Sequence, residues 1–570
     1  NIELSAALFR NQVGTMTFEN PLTISPSSIA GIGANAFTQG RFASDPDNDY
    51  TSARLDLARS FPDWFNARFS ASLALGRTRQ NETLLAPTSL ALTGASLNGI
   101  AADGLWNSAA ALTRGNADAR IDTRLAVLTA SLQPIRSLSL LARYRDDSTD
   151  STGDYQACNP QTGQLGRLLN DGSGAALVDV PQYLAARCDL AAIRALGITP
   201  DAGDITLRNA PFEQRNRTLE VTADWRVSRS ASLATEFEHK ETRRPWRERE
   251  RTSEDRVKLS FTERGFDSAT VRASVEYAAR GGSAYRRAAG AERLSASLGP
   301  LPSSGNVSSW FGSVDQLRKF DLADRTRTTV HLRADFALGE GFDAAVDFTG
   351  RYALYPRSEV GRSGREQQNA LGFDANYVAA DGIHLYGFYA YQDGQMRQVG
   401  AQPAGCLIGL AGVTADNVEQ CGAFGGPLFP RDRAWESQSR DRNHVVGLGG
   451  RFEFRWGVVD LDYTHVHGRT SIDYAYGTGI VLSPAREALA GSGWPDLRFS
   501  QGVLAASAWF PLTRRASMRL RLQAEAGQVD DWHYDGIAAN PVPLPSTVYL
   551  NSAAQRYRTI FGGIFLRLAL

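Results

Sequence analysis

Seven histidines, four cysteines and 61 acidic residues are the raw material for chemistry in this 570-residue chain, and their spacing limits what they can do. The histidines are dispersed. The one H-x-H pair, His465 and His467, shares a face with Leu461 and Tyr463 in a segment of alternating pattern, so no metal centre is expected there. No G-x-S-x-G, P-loop or Cys-x-x-Cys occurs. No cysteine is followed by histidine, so the chain cannot attach a c-type haem by itself. What remains is carboxylate and guanidinium at alternate positions: Arg333 with Asp335, Asp347 with Arg351, Arg521 with Glu525. Facing carboxylates can do acid–base work. Alternating with arginine along whole strands, they read instead as a mutually neutralised hydrophilic wall, and the chain is not expected to be an enzyme.

The elements that carry these residues are strands. In "FNARFSASLAL" (65–75), Phe65, Ala67, Phe69, Ala71, Leu73 and Leu75 alternate with Asn66, Arg68, Ser70, Ser72 and Ala74. Period-2 alternation means one apolar and one polar face. The same pattern returns in "TLEVTADWRV" (218–227), "ATVRASVEY" (269–277), "TVHLRADF" (329–336) and "SMRLRLQAEA" (517–526). Short connections such as "SFPDW" (60–64), "AADG" (379–382) and "RWG" (455–457) alternate with long ones at 80–117, 147–213, 280–324, 394–440 and 472–499.

Tight turns at one end and long loops at the other predict an all-β fold: a large transmembrane up-and-down antiparallel barrel over 1–570, with about eighteen strands of roughly 10 to 15 residues. So large a sheet must close to remove its edges, and it then encloses a lumen too wide for side chains to fill. The apolar faces meet lipid and the polar faces line the lumen. Trp64 with Phe65, Tyr144, Trp225, Tyr277, Tyr352, Tyr377, Trp456 and Trp509 stand near strand ends, as an interfacial girdle would. Arg77 marks where its strand leaves lipid.

Composition agrees. Sixty-one basic and 61 acidic residues cancel, so nothing drives the chain toward nucleic acid. Only Lys240, Lys258 and Lys319 are lysines. Arginine suits a wet wall lined with carboxylates, although a GC-rich genome produces the same bias. No run approaches the length of a transmembrane helix. The chain opens at Asn1 with neither Met nor signal peptide and is expected to be a mature or trimmed form. Cys158, Cys188, Cys406 and Cys421 fall in the loops 147–213 and 394–440, which are expected to be extracellular. Three connectivities are open to them; local pairing, Cys158–Cys188 and Cys406–Cys421, is the simplest, and free thiols are the alternative. The run "HKETRRPWRERERTSEDR" (239–256) reads as a solvated hairpin loop, or else as a dock for a partner or for lipopolysaccharide phosphates.

Several spaced segments resemble the MtrB/PioB family of outer-membrane barrels. They are "GRFASDPDND" (40–49), "LGRTRQNETLLAP" (75–87), "RSLSLLARYRDDSTDST" (136–152), "ERERTSEDRVKLSFTERGFDSATVRASVEYAARGGSAY" (248–285) and "RKFDLADRTRTTVHLRADF" (318–336). The likeness runs over nearly the whole chain. Two departures are visible. The family usually has further strands before the segment resembling 1–22, so the chain is expected to lack its first hairpins, and some members carry an N-terminal Cys-x-x-Cys absent here. The chain ends at Leu570 rather than at the aromatic residue common in outer-membrane barrels.

The resemblance implies location in the outer membrane of a Gram-negative bacterium. It also implies a porin-like sheath housing a periplasmic multihaem c-type cytochrome, which carries the haem c, with an extracellular multihaem cytochrome as a further partner. Outer-membrane lipid and lipopolysaccharide surround it. Inward residues would make the polar contacts to the guest: Arg68, Asp224, Arg226, Arg272, Arg333, Asp335, Arg519, Arg521 and Glu525. The rival is a passive solute porin. In that case the apolar stretch 175–198 would fold into the lumen or cap its mouth. A gated transporter would need a plug domain that is not visible before the first strand, and a barrel enzyme ranks last for want of a nucleophile–base pair.

Overall fold

The structure is a computed structural model. It describes residues 2–152, 212–286, 314–480, 495–531 and 556–568, apart from short stretches at 12–15, 21–39, 45–46, 87–88, 90, 92–95, 98–99, 102, 113, 246, 409–412 and 415–416. From the intervening loops it describes only short strands at 157–158, 165–168, 175–178 and 305–306.

Eighteen long strands dominate. They are β1 (Ile2–Asn11), β2 (Asn48–Phe61), β3 (Ala67–Gln80), β4 (Ala119–Ile135), β5 (Leu138–Thr152), β6 (Glu213–Arg226), β7 (Ala231–Arg243), β8 (Arg251–Phe266) and β9 (Ala269–Gly282). The second half supplies β10 (Arg325–Ala337), β11 (Phe342–Tyr355), β12 (Gly364–Ala380), β13 (Ile383–Ala401), β14 (Ala434–Phe454), β15 (Gly457–Tyr476), β16 (Leu497–Thr513), β17 (Ala516–Asp530) and β18 (Arg556–Leu568). With the short strands Leu317–Arg318 and Val360–Arg362 they form one 20-stranded sheet. Each long strand pairs antiparallel with its sequence neighbour, from β1 with β2 through to β17 with β18. Among the described residues no register joins β18 to β1, and these two strands are the most exposed, with Leu4 at 76% and Ile564 at 72%.

The eight connections at one end are two to five residues long, and those at the other end run from 7 to 60. Up-and-down order with this asymmetry makes the molecule a large outer-membrane-type barrel. Several strands are longer than expected: β14 has 21 residues and β15 has 20. A bilayer needs only about 9 to 11, so these strands project past it on the long-loop side.

The faces follow the alternation. The cross-strand row Phe69–Ala130–Ala142–Val221–Phe237–Val257–Tyr277 is apolar and runs unbroken from β3 to β9. Removing such a row from water is favourable only against lipid, because no second layer covers it. Trp64 stacks on Phe69 at 5.9 Å, and Phe454, Trp456 and Phe510 stack in series at 4.8 and 5.5 Å at the short-turn end, where a girdle belongs.

Two expectations need correction. Phe65 is not in a strand; it and Asn66 hold left-handed backbone (φ 50° and 49°) in the β2–β3 turn, so β3 begins at Ala67. Trp509 lies on the lumen face, because it registers with Val458 two positions from Asp460, and Phe510 is the outward aromatic.

Candidate functional site: the inner wall

The inner wall is built where polar alternates of neighbouring strands meet. On β9–β12, Arg272 of β9 pairs with Asp335 of β10. Arg333 holds Asp335 at 2.8 Å, Asp374 of β12 at 3.2 Å and Asp347 of β11 at 3.7 Å. The structure thus brings Arg272, Arg333 and Asp335 into one cluster. Along β17, Arg519 donates to Ser507 at 3.2 Å and Arg521 to Gln523 at 3.2 Å, while Glu525 accepts from Gln501 and Tyr557, each at 2.6 Å. Arg68, Asp224 and Arg226 stand apart, near the short-turn end, with no ion pair among the described residues. Two of the alternating sets lie inward as read but do not pair within themselves. Asp347 meets Arg333 rather than Arg351, which donates to Gln368 at 3.3 Å, and Glu525 does not meet Arg521. Cross-strand register sets partners such as Arg272–Asp335 and Arg333–Asp347, alongside same-strand neighbours such as Arg333–Asp335.

A larger cluster was not singled out from the sequence. Arg256 of β8 reaches Glu236 and Glu238 of β7 and Glu276 of β9; Glu276 also takes Arg327 of β10 at 3.0 Å, and Glu254 takes Arg325 at 2.7 Å. The alternation in "ATEFEHK" (234–240) signals the inward glutamates, but only the register reveals the shared arginine.

At the long-loop end the β9–β10 connection folds onto this wall. Arg280 donates to Ala323 O at 2.9 Å and to Phe320 O, and Arg249 binds Leu322 O at 2.8 Å and Asp324 at 2.7 Å. Leu322 and Ala323 are fully buried, and the inward Ala278, Ala353 and Tyr355 disappear beneath the segment. The run 239–256 is therefore no solvated loop. His239–Arg243 and Arg251–Arg256 are strand, and the connection between them is docked: Arg244 and Arg247 hold Asp321 at 3.0 and 3.1 Å, and Glu248 holds Lys319 at 2.6 Å. Burial lowers the Arg244 guanidinium against the pull of Asp321, and burial raises the Tyr285 phenol, whose oxygen accepts from Lys319 N at 3.2 Å.

The loops after β9, β11 and β13 converge beside it. Cys406 and Cys421 form the expected disulfide, and both are buried with Val314, Val360, Val413, Leu428 and Phe429. Phe424 N donates to Gln316 Oε1 at 2.6 Å across this body. Cys188 and most of 147–213 lie outside the described residues, as does the Cys158 side chain, so the second pair and the folding of 175–198 are not seen. Among the described residues no group of His, Cys, Asp and Glu could hold a metal ion. His465 and His467 face outward, as their pattern required; the nearby His444 meets Tyr389 at 2.8 Å.

Residues 1–561 match the family of putative outer membrane beta-barrel porins, MtrB/PioB. The chain belongs to the MtrB/PioB family. Its place is the outer membrane, and the apolar outer and charged inner faces above are those of a porin-like member. A similar protein is "Outer membrane protein MtrB" of Shewanella baltica (strain OS185), 27% identical over 199 residues. That alignment takes in 34% of this chain and 25% of the relative. Solved structures similar to this MtrB/PioB chain include the FrpB iron transporter of Neisseria meningitidis, with a TM-score of 0.39, 8% identity, and 92% and 75% of the two chains covered. Another is the siderophore receptor PirA of Acinetobacter baumannii, at 0.39, 10%, 91% and 71%.

Proposed function

We propose that the barrel is a sheath for a multihaem c-type cytochrome, which enters from the periplasm and carries electrons across the outer membrane by haem-to-haem transfer. The supporting observation is the inner wall. Around Arg256 and Arg333 its charges are satisfied within the wall, so these stretches can exclude lipid and face a folded guest without demanding one particular counter-charge. Eighteen strands spaced about 4.8 Å and tilted about 40° give a circumference of at least about 110 Å, a backbone diameter near 35 Å and a clear lumen of about 25 Å. A globular domain of 100 residues, with a radius of gyration of about 13 Å, would not pass. The guest is therefore narrow and elongated, as a wire of stacked haems is. It would meet Arg68, Asp224 and Arg226 first, at the short-turn, periplasmic mouth. The haem c belongs to the guest. A second cytochrome on the extracellular side would meet the long-loop end.

A solute porin is the second reading. It is favoured by the docked segment before β10, since a loop folded onto the inner wall narrows a pore. Purifying the barrel from its native membrane without reductant and recording the visible spectrum decides between them. Stoichiometric haem bands and a co-purifying cytochrome are expected. A colourless barrel that conducts ions in a planar bilayer would overturn the sheath.

A further inference from the structure

On the outward face of β1–β4, just past the apolar band, five arginines face two carboxylates: Arg10, Arg77, Arg79, Arg120 and Arg124 against Asp49 and Asp122. On the neighbouring outward face, Arg215 and Arg217 both reach Asp146. Here Arg10 takes Asp49 at 2.7 Å, while Arg77 and Arg120 share Asp122 at 2.6 and 3.0 Å. Arg79 and Arg124 are exposed and have no ion pair among the described residues. Arg79 stands in register with Asp49, which Arg10 already occupies, and with Arg120, which is turned to Asp122.

The surface beneath is hollowed. A cavity of about 940 Å³ is lined by Arg10, Arg77, Arg79 and Arg124, by the carboxylates Asp49 and Asp122 that hold only part of that charge, and by Leu8 and Leu75. Lower on the same outward face is a second hollow of about 840 Å³, lined chiefly by Leu57, Phe69, Ala71, Leu128 and Tyr144. Small alanines between larger side chains leave a groove at the depth of hydrocarbon, and the arginines ring its upper end at the depth of headgroups. Guanidinium forks bind phosphate oxygens in pairs, and there are more of them than local carboxylates can occupy.

We propose that this face holds a phosphorylated glycolipid of the outer leaflet, with its phosphates on Arg79 and Arg124 and its acyl chains in the groove below. The assignment moves phosphate recognition away from the basic run 239–256, whose arginines Arg244, Arg247, Arg249 and Arg256 are committed to internal carboxylates.

The test uses the full-length barrel in detergent, titrated with bisphosphorylated lipid A, with the same lipid stripped of phosphate, and with inorganic phosphate, and read by native mass spectrometry. The wild type is expected to retain the bisphosphorylated lipid at least about tenfold more tightly than the stripped one. Arg79→Gln with Arg124→Gln should abolish that difference, whereas Arg514→Gln with Arg515→Gln, in the β16–β17 turn, should leave it intact. Equal retention of the two lipids by the wild type needs no variant and overturns the proposal. So does a double variant that binds like wild type, and so does full displacement of the lipid by millimolar inorganic phosphate, which would mark a plain anion site.

Discussion

Removing the Arg249 guanidinium should release the segment that narrows the lumen. The Arg249 side chain is 7% exposed and its partner Asp324 11%, so solvent screens their contact little. Breaking a buried pair by deleting one member costs about 3–5 kcal/mol, largely from the charge left behind. Asp324 keeps Arg357 at 3.3 Å, although that arginine is 81% exposed, which favours the lower end of the range. The Leu322 carbonyl loses a donor as well. A change of about 3 kcal/mol shifts the docked–undocked balance by roughly 100-fold. Arg318 and Lys319 within the segment are trypsin sites. Where opening is fast relative to cleavage, the cutting rate follows the open population. Arg249→Ala should therefore be nicked at 318–319 about 100-fold faster than wild type while the strands stay intact, with a larger single-channel conductance. Arg249→Lys keeps the charge but not the fork and should fall between. Cleavage within twofold of wild type would show that the segment is held by something else.

Leu448 is 63% exposed on the lipid face, so Leu448→Arg should cost about 2–4 kcal/mol; Ser439→Arg on the lumen face should stay within about 0.5 kcal/mol, both read from urea midpoints in vesicles. A Cβ on Gly447 would lie 2.1 Å from the Phe388 ring, so Gly447→Val should destabilise by about 1–3 kcal/mol, and Phe388→Ala should suppress most of that loss. Reducing Cys406–Cys421, which closes a 15-residue separation, should loosen 402–433 by about 3 kcal/mol in hydrogen exchange and leave β13 and β14 protected.

The fold was legible because alternation is a local signal. Leu73 and Leu75 faced lipid as read, and Arg77 does mark the exit, where it finds Asp122. Phe65 was misplaced because it continues the period of β3 while its backbone turns; a letter pattern does not record φ. Trp509 was misplaced because "AWFPL" (508–512) offers two adjacent aromatics and only the register with β15 tells them apart. Pairings across the wall were the least legible. Arg256 gathers glutamates 18 and 20 residues away on either side, and that geometry exists only once the strands are aligned. The docked loop was hidden for a related reason: Arg249 sits in a run whose charges nearly cancel, the composition of a solvated loop, and its carbonyl and carboxylate partners lie 73 and 75 positions on.

The distribution of compensated charge bears on which reading of the lumen holds. A porin works through an electrostatic constriction, which requires uncompensated charge where the pore is narrowest. Among the described residues, the segment folded onto the inner wall lies at the long-loop end, and there the charges close on one another: Arg249 on Asp324, Arg244 on Asp321, Glu248 on Lys319. Of the candidates without an ion pair among the described residues, Arg519, Arg521 and Glu525 are held by neutral hydrogen-bond partners, while Arg68, Asp224 and Arg226 lie at the opposite, short-turn end. That arrangement gives little basis for selecting a passing solute, but it offers a docking rim to something arriving from the periplasm. Reversing the rim with Arg68→Glu and Arg226→Glu should therefore reduce cytochrome retention while leaving ion conductance nearly unchanged. The opposite outcome, altered ion selectivity with full cytochrome retention, would make the rim a filter and return the barrel to the porin reading.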